Sequence, residues 1–122
     1  MTIREAIDQI DTQKHNTYSY REKVGWLSRL DHMVKRLIID THEGEQTEFK
    51  GYTENTDPDI QMLVPPPFDE MYIRWMEAQI DYANGEYDHY NNSVTTYQAA
   101  YDGYRHWYNR THKPKGGKIK YF

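Results

Sequence analysis

Residues 69–110 read DEMYIRWMEAQIDYANGEYDHYNNSVTTYQAAYDGYRHWYNR, and how this stretch folds decides the architecture. Ile73, Met76, Ile80, Ala83, Tyr87, Tyr90, Val94, Tyr97, Tyr101, Tyr104 and Tyr108 recur at alternating spacings of three and four. That is a heptad seam, the period of a helix that buries one stripe. Asp69 and Glu70 place negative charge where the helix dipole favours it. Asn84–Gly85 has the composition of a helix stop, yet the phase runs through it. The uninterrupted phase predicts one long C-terminal helix over about 69–110, roughly 60 Å if straight, with Gly85 as the place for a bend. The alternative is a helical hairpin turning at Asn84–Gly85.

Two shorter helices precede it. Thr2–Ile3–Arg4–Glu5 is a capping box, with Ile3, Ala6, Ile7 and Ile10 behind it at helical spacing, which predicts a helix over 3–13. Ser19–Tyr20–Arg21–Glu22 is a second box. Leu27, Leu30, Val34 and Leu37 follow it, flanked by Trp26, Met33 and Ile38, which predicts a helix over 19–41. Residues 42–67 lose the helical period and carry Gly44, Gly51, Asn55, Asp57 and Pro58. They read as an extended loop or a short β-hairpin, with Thr47–Tyr52 and Ile60–Val64 as the candidate strands. Pro65–Pro66–Pro67 holds the chain extended up to residue 68. The fold class is therefore mainly α, a helical bundle in a single domain spanning 1–122. Leu27, Leu30, Val34 and Leu37 are expected to pack on Ile73, Met76 and Ile80, with Trp26 and Trp75 mostly buried.

The 122 residues are 37% hydrophobic, 28% charged and 15% aromatic, a composition too aromatic for a disordered chain. No apolar run approaches a membrane span, and no basic-then-apolar leader opens the sequence. The expectation is a protein that is not secreted by a signal peptide and does not enter a membrane. With no cysteine, disulfides, zinc–thiolate centres, iron–sulfur clusters and cysteine nucleophiles are excluded. Twelve tyrosines suit either a wet aromatic core or a surface half buried against a partner. Charge is segregated: residues 43–66 and 67–109 each carry a net −5, whereas 110–122 carry +5. The acidic body argues against sequence-specific nucleic-acid binding. The basic residues Arg110, Lys113, Lys115, Lys118 and Lys120 form a candidate contact on a flexible tail over 112–122.

The search for chemistry yields little. The six histidines include no His-Glu-x-x-His pair. Asp40, His42, Glu43 and Glu45 hold metal-ligand side chains, but a helix end running into an acidic loop produces the same string. His89 and Asn92 share a helical face with no nucleophile beside them. No Gly-x-Ser-x-Gly elbow or phosphate-cradling glycine loop occurs. No catalytic residue, metal or cofactor is expected.

The stretch Leu63–Arg110 does resemble a known group. Val64–Pro65 and Phe68–Asp69 precede Tyr72, Trp75–Met76, Ala78-x-Ile80-Asp81 and Glu86-x-x-x-Tyr90-Asn91-Asn92-Ser93, and a Tyr-rich end closes with Arg110. This pattern resembles small virion structural proteins of tailed phages and prophages of Gram-positive bacteria, similar to head–tail connector or neck adaptor proteins. Arg36–His42 and the Gly51–Thr53 loop extend the resemblance more loosely into the N-terminal half. It implies a helical, non-enzymatic adaptor that assembles as a ring with itself and with portal or tail proteins. Such a protein sits in the host cytoplasm during assembly and then in the virion neck. Tyr97, Tyr101, Tyr104, Trp107 and Tyr108 are the candidate interface residues. The competing class is a small intracellular regulatory module that binds one protein partner.

Overall fold

The computed structural model describes residues 1–44 and 47–115. The chain forms α1 (Ile3–Gln13), α2 (Tyr20–Leu37), a 3-10 turn (Ile39–Thr41), α3 (Glu70–Ala83) and α4 (Tyr87–Thr111). Both capping boxes close. Glu5 N donates to Thr2 Oγ1 at 3.1 Å and Thr2 N to Glu5 Oε1 at 2.8 Å. Glu22 N donates to Ser19 Oγ, and Ser19 N to Glu22 Oε1, each at 3.1 Å. These bonds satisfy amides that the first helical turn leaves without partners. They also hold the Glu5 and Glu22 carboxyls below the usual carboxylate range.

The prediction of a continuous helix over 69–110 is corrected: α3 and α4 form an antiparallel hairpin, and the long C-terminal helix begins at Tyr87. The stop is a Schellman motif. Gly85 sits in the left-handed region at φ 74°. Its amide donates to Tyr82 O at 3.0 Å, and the Glu86 amide donates to Asp81 O at 2.9 Å. The phase survives the turn because Ala83 and Tyr87 happen to lie four apart, the same step that a continuous heptad would take there. In a hairpin each helix turns its own seam inward, so an unbroken period does not distinguish the two arrangements.

α3 is the central element and packs on α1, α2 and α4. Met71, Tyr72, Ile73, Met76, Ala78, Ile80 and Asp81 are all buried along it. Against it lie Ile3, Ala6, Ile7 and Ile10 of α1 and Val24, Leu27, Leu30 and Val34 of α2. Leu37 departs from the expected seam and is 57% exposed, while Ile38 is buried. Ile38 follows Val34 by four residues and bonds to its carbonyl, so it continues the buried stripe of α2, whereas Leu37 falls on the neighbouring solvent-facing row. Trp26 and Trp75 are mostly buried against the margin of the core, as expected; Trp75 Nε1 donates to Trp26 O at 2.8 Å.

Residues 42–67 form an extended loop, with no strand among the described residues. The expected pairing of Thr47–Tyr52 with Ile60–Val64 is absent because the segment bonds to the N-terminus and α2 instead. Arg4 N donates to Pro58 O at 2.9 Å and Met62 N to Met1 O at 3.0 Å. Tyr52 N donates to Ser28 Oγ at 3.0 Å. At Gly51, with φ 84°, a Cβ would lie 2.6 Å from His32 Nε2 and 2.8 Å from Ser28 Oγ, so only glycine lets the loop lie this close to α2. The start of the basic tail is also held. Glu43 N donates to Lys113 O at 2.7 Å and Lys115 N to Thr41 O at 3.0 Å, so the first residues of the tail expected to be flexible over 112–122 are tied to the body; residues 116–122 of that tail lie outside the described residues.

Candidate functional site

Among the described residues two carboxylates are fully buried, Asp31 and Asp81, and each has partners within the chain. Asp31 of α2 accepts from the Tyr52 hydroxyl at 2.5 Å, the Tyr72 hydroxyl at 2.7 Å and the Leu63 amide at 3.1 Å. The Tyr72 oxygen in turn accepts from the Val64 amide at 2.8 Å. Burial raises the Asp31 pKa, opposed by the bonds from Tyr52, Tyr72 and Leu63. Burial likewise raises Tyr52 and Tyr72, and the Asp31 charge adds to it. This network clamps the loop to α2 and α3. Sequence reading missed it, because residues 31, 52, 63 and 72 share no local motif.

Asp81 of α3 is the second. Its Oδ2 accepts from the Ser93 hydroxyl of α4, and its Oδ1 lies 2.7 Å from Lys14 Nζ. The ammonium stands off the direction of a good hydrogen bond to Oδ1, so the contact is an ion pair. Glu86 and His89 bring their ligand atoms within 4.8 Å of each other and of Asp81, an arrangement with the atom types of a divalent-cation site. The cluster already holds a cation in the Lys14 ammonium. The other sequence candidate is not brought together: His42 is buried with Nδ1 2.6 Å from Ile38 O, Asp40 pairs with Lys35, Glu43 is exposed, and Glu45 lies outside the described residues.

The five interface candidates divide. Tyr97 and Tyr104 are buried in the monomer. Tyr97 packs on Trp75 with ring centroids 5.0 Å apart, and Tyr104 on Phe68 at 5.6 Å. Burial raises both hydroxyl pKa values. The hairpin, in place of a straight helix, brings α3 and Phe68 to these two rings. Tyr101, Trp107 and Tyr108 are half-buried at the core margin. Trp107 packs on Phe68 at 5.1 Å, and Tyr108 lies 4.9 Å from His42 and stacks on His112 at 3.7 Å. Of the basic candidates, Arg110, Lys113 and Lys115 are exposed, while Lys118 and Lys120 lie outside the described residues.

The aromatic surface that sequence reading passed over is the hairpin tip. Tyr82 and Tyr87 are each 60% exposed. Tyr82 contacts Tyr87 at 5.9 Å and Tyr90 at 5.3 Å between centroids. Tyr82 thus joins the other two rings, and the half-buried Tyr90 is not among the residues packed on the core cluster. The tip is rigidly based: Tyr18 Oη donates to Asn84 Oδ1 at 2.5 Å, and the Asp81–Lys14 pair ties it to the end of α1. Tyr87 and Tyr90 stood in the heptad seam, but Tyr82 stood outside it, and a continuous helix would not bring the three together. No helix among the described residues is long and apolar enough to cross a membrane. No protein family, curated protein or solved structure matches the chain.

Proposed function

We propose that this chain is a non-enzymatic structural protein of a phage or prophage, a head–tail connector or neck adaptor acting through protein–protein contacts. The observation that carries this reading is the rigid α3–α4 hairpin, which presents tyrosines at its tip and half-buried aromatics at its far end. Tyrosine-rich patches of this kind are where protein interfaces concentrate their affinity. The resemblance of Leu63–Arg110 to connector proteins supports the same reading. So does the commitment of Asp31 and Asp81 to intramolecular partners, which leaves neither carboxylate poised for a substrate. The proposed partners are further copies of the chain in a ring and a portal or tail protein, met in the host cytoplasm and kept in the virion neck.

Co-expression with the portal and tail proteins encoded beside the gene tests it. The expected result is co-purification with one of them, and labelling of the neck in electron micrographs of particles. Particles of normal titre formed without the protein would overturn it. A second reading, a small regulatory module, is favoured by the burial of Tyr97 and Tyr104, which makes the isolated monomer self-sufficient. That reading expects capture of a single non-virion protein and no label on particles.

A further inference from the structure

The two ends of α4 have opposite character. At its start, Tyr82, Tyr87 and Tyr90 cluster outside the core, bordered by exposed Glu86 and Asp88. At its other end begins a segment, 110–122, that carries five Lys or Arg and no acid. Tyrosine faces attract ammonium and guanidinium groups, and neighbouring carboxylates add Coulomb attraction. An acidic, tyrosine-lined tip is thus the chemical complement of this chain's own C-terminal segment.

Chain length alone is too short to bring Lys118 or Lys120 to the tip of the same molecule. α4 has 25 residues, so its ends are about 37 Å apart at 1.5 Å per residue. The chain is pinned near the far end, where Lys115 N bonds to Thr41 O. Lys118 and Lys120 follow this anchor by only three and five residues, a reach of at most about 10 and 18 Å when fully extended. The complement must therefore come from another molecule.

We propose that the hairpin tip of one copy docks the basic C-terminal segment of a second copy. The contact is head-to-tail, with different surfaces on the two partners. It therefore propagates into a closed ring or an open chain and does not stop at a symmetric dimer. Three rings and two carboxylates make a patch well below the roughly 1,200 Å² of a standard stable interface. A single contact is accordingly weak, and ring closure strengthens it by making the last contact intramolecular. The proposal deepens the adaptor reading and rests on it only for its biological use.

Sedimentation velocity of the purified full chain over a wide concentration range, at low and high salt, tests the contact. The wild type is expected to exceed its 14.7 kDa monomer mass at low salt and to fall back toward it as salt screens the charges. Tyr82→Ser/Tyr87→Ser, which touches exposed rings, and Lys118→Glu/Lys120→Glu should each stay monomeric. Mixing the two variants at the top of the concentration range, where a single weak contact is populated, should restore a heterodimer and nothing larger, because only one tip–tail pair remains intact. Circular dichroism melts check that each variant folds. Should the tyrosine variant unfold, Glu86→Gln/Asp88→Asn takes its place, with reduced association expected. A wild type that stays monomeric at low salt, association unchanged in either variant, or no heterodimer on mixing would each overturn the proposal. Failure here is separable from failure of the adaptor reading, because co-purification with portal or tail protein is read independently of self-association.

Discussion

Replacing Asp31 probes the device that holds the loop onto the helices. Its carboxylate takes three donors: the Tyr52 and Tyr72 hydroxyls and the Leu63 amide. Asp31→Ala leaves all three without an acceptor in a site shut from water. An unsatisfied buried donor costs about 1–3 kcal/mol. The three are not additive, because the loop relaxes as soon as the first bond fails. Relief from the cost of burying a carboxylate offsets part of the loss. The expected net destabilisation is about 3–5 kcal/mol, the range seen when one partner of a buried polar network is removed. Asp31→Asn is milder. Its carbonyl oxygen can replace Oδ2 for Tyr52 and Leu63, but its amide then faces the Tyr72 hydroxyl, whose proton loses its acceptor. That single orphan sets an expected cost of about 1–3 kcal/mol. The pH dependence has a definite sign. Burial raises the Asp31 pKa in the folded state, so the folded chain holds this proton more tightly than the unfolded chain does. The group therefore favours folding fully at pH below its unfolded pKa of about 3.9, and this contribution is lost as pH rises through the folded pKa. Urea melts across acidic to neutral pH give the readout. Wild-type stability relative to Asp31→Asn should fall as pH rises above about 4. An Asp31→Ala variant within 0.5 kcal/mol of wild type, on the order of an ordinary surface substitution, would refute the clamp.

Gly51→Ala should destabilise by about 1–3 kcal/mol, since the left-handed backbone is strained and the new methyl meets His32 and Ser28. Gly51→Asn, which tolerates the backbone better but not the contact, separates the two causes in the same melts. Leu30→Ala and Ile80→Ala should each cost about 2–5 kcal/mol in denaturant melts, because both side chains are fully buried in the shared core. Spin labels at Glu70 and Ala99 report the hairpin directly. A straight helix would separate these positions by about 44 Å, whereas the hairpin requires less than half of that. Glu5 and Glu22 act opposite to Asp31 with pH: their lowered pKa values mean that the stability they supply is present at neutral pH and lost as pH falls through the folded values. Glu5→Gln and Glu22→Gln should therefore flatten the acid side of the stability profile.

Local interactions made the helices legible before any tertiary contact was known. A capping box closes within four residues, so Thr2–Glu5 and Ser19–Glu22 are readable from spacing alone. The seams of α1 and α2 are read the same way, as far as Val34. Charge segregation, the lack of cysteine and the mainly helical class are also properties of the chain order. The direction of the chain after Asn84 is not. A heptad period records which face of each helix is buried and says nothing about whether the burying partner lies in the next turn of chain or across a hairpin. Only the Schellman turn at Gly85 and the packing of α4 on α3 decide that. This one decision moves Tyr97 and Tyr104 into the core and gathers the exposed Tyr82 and Tyr87 with the half-buried Tyr90 at the tip. The loop shows the same limit. Tyr52, Leu63 and Tyr72 stand 21, 32 and 41 residues from Asp31. Their bonds form only once α2 and α3 have buried the carboxylate, and that burial makes each of them indispensable.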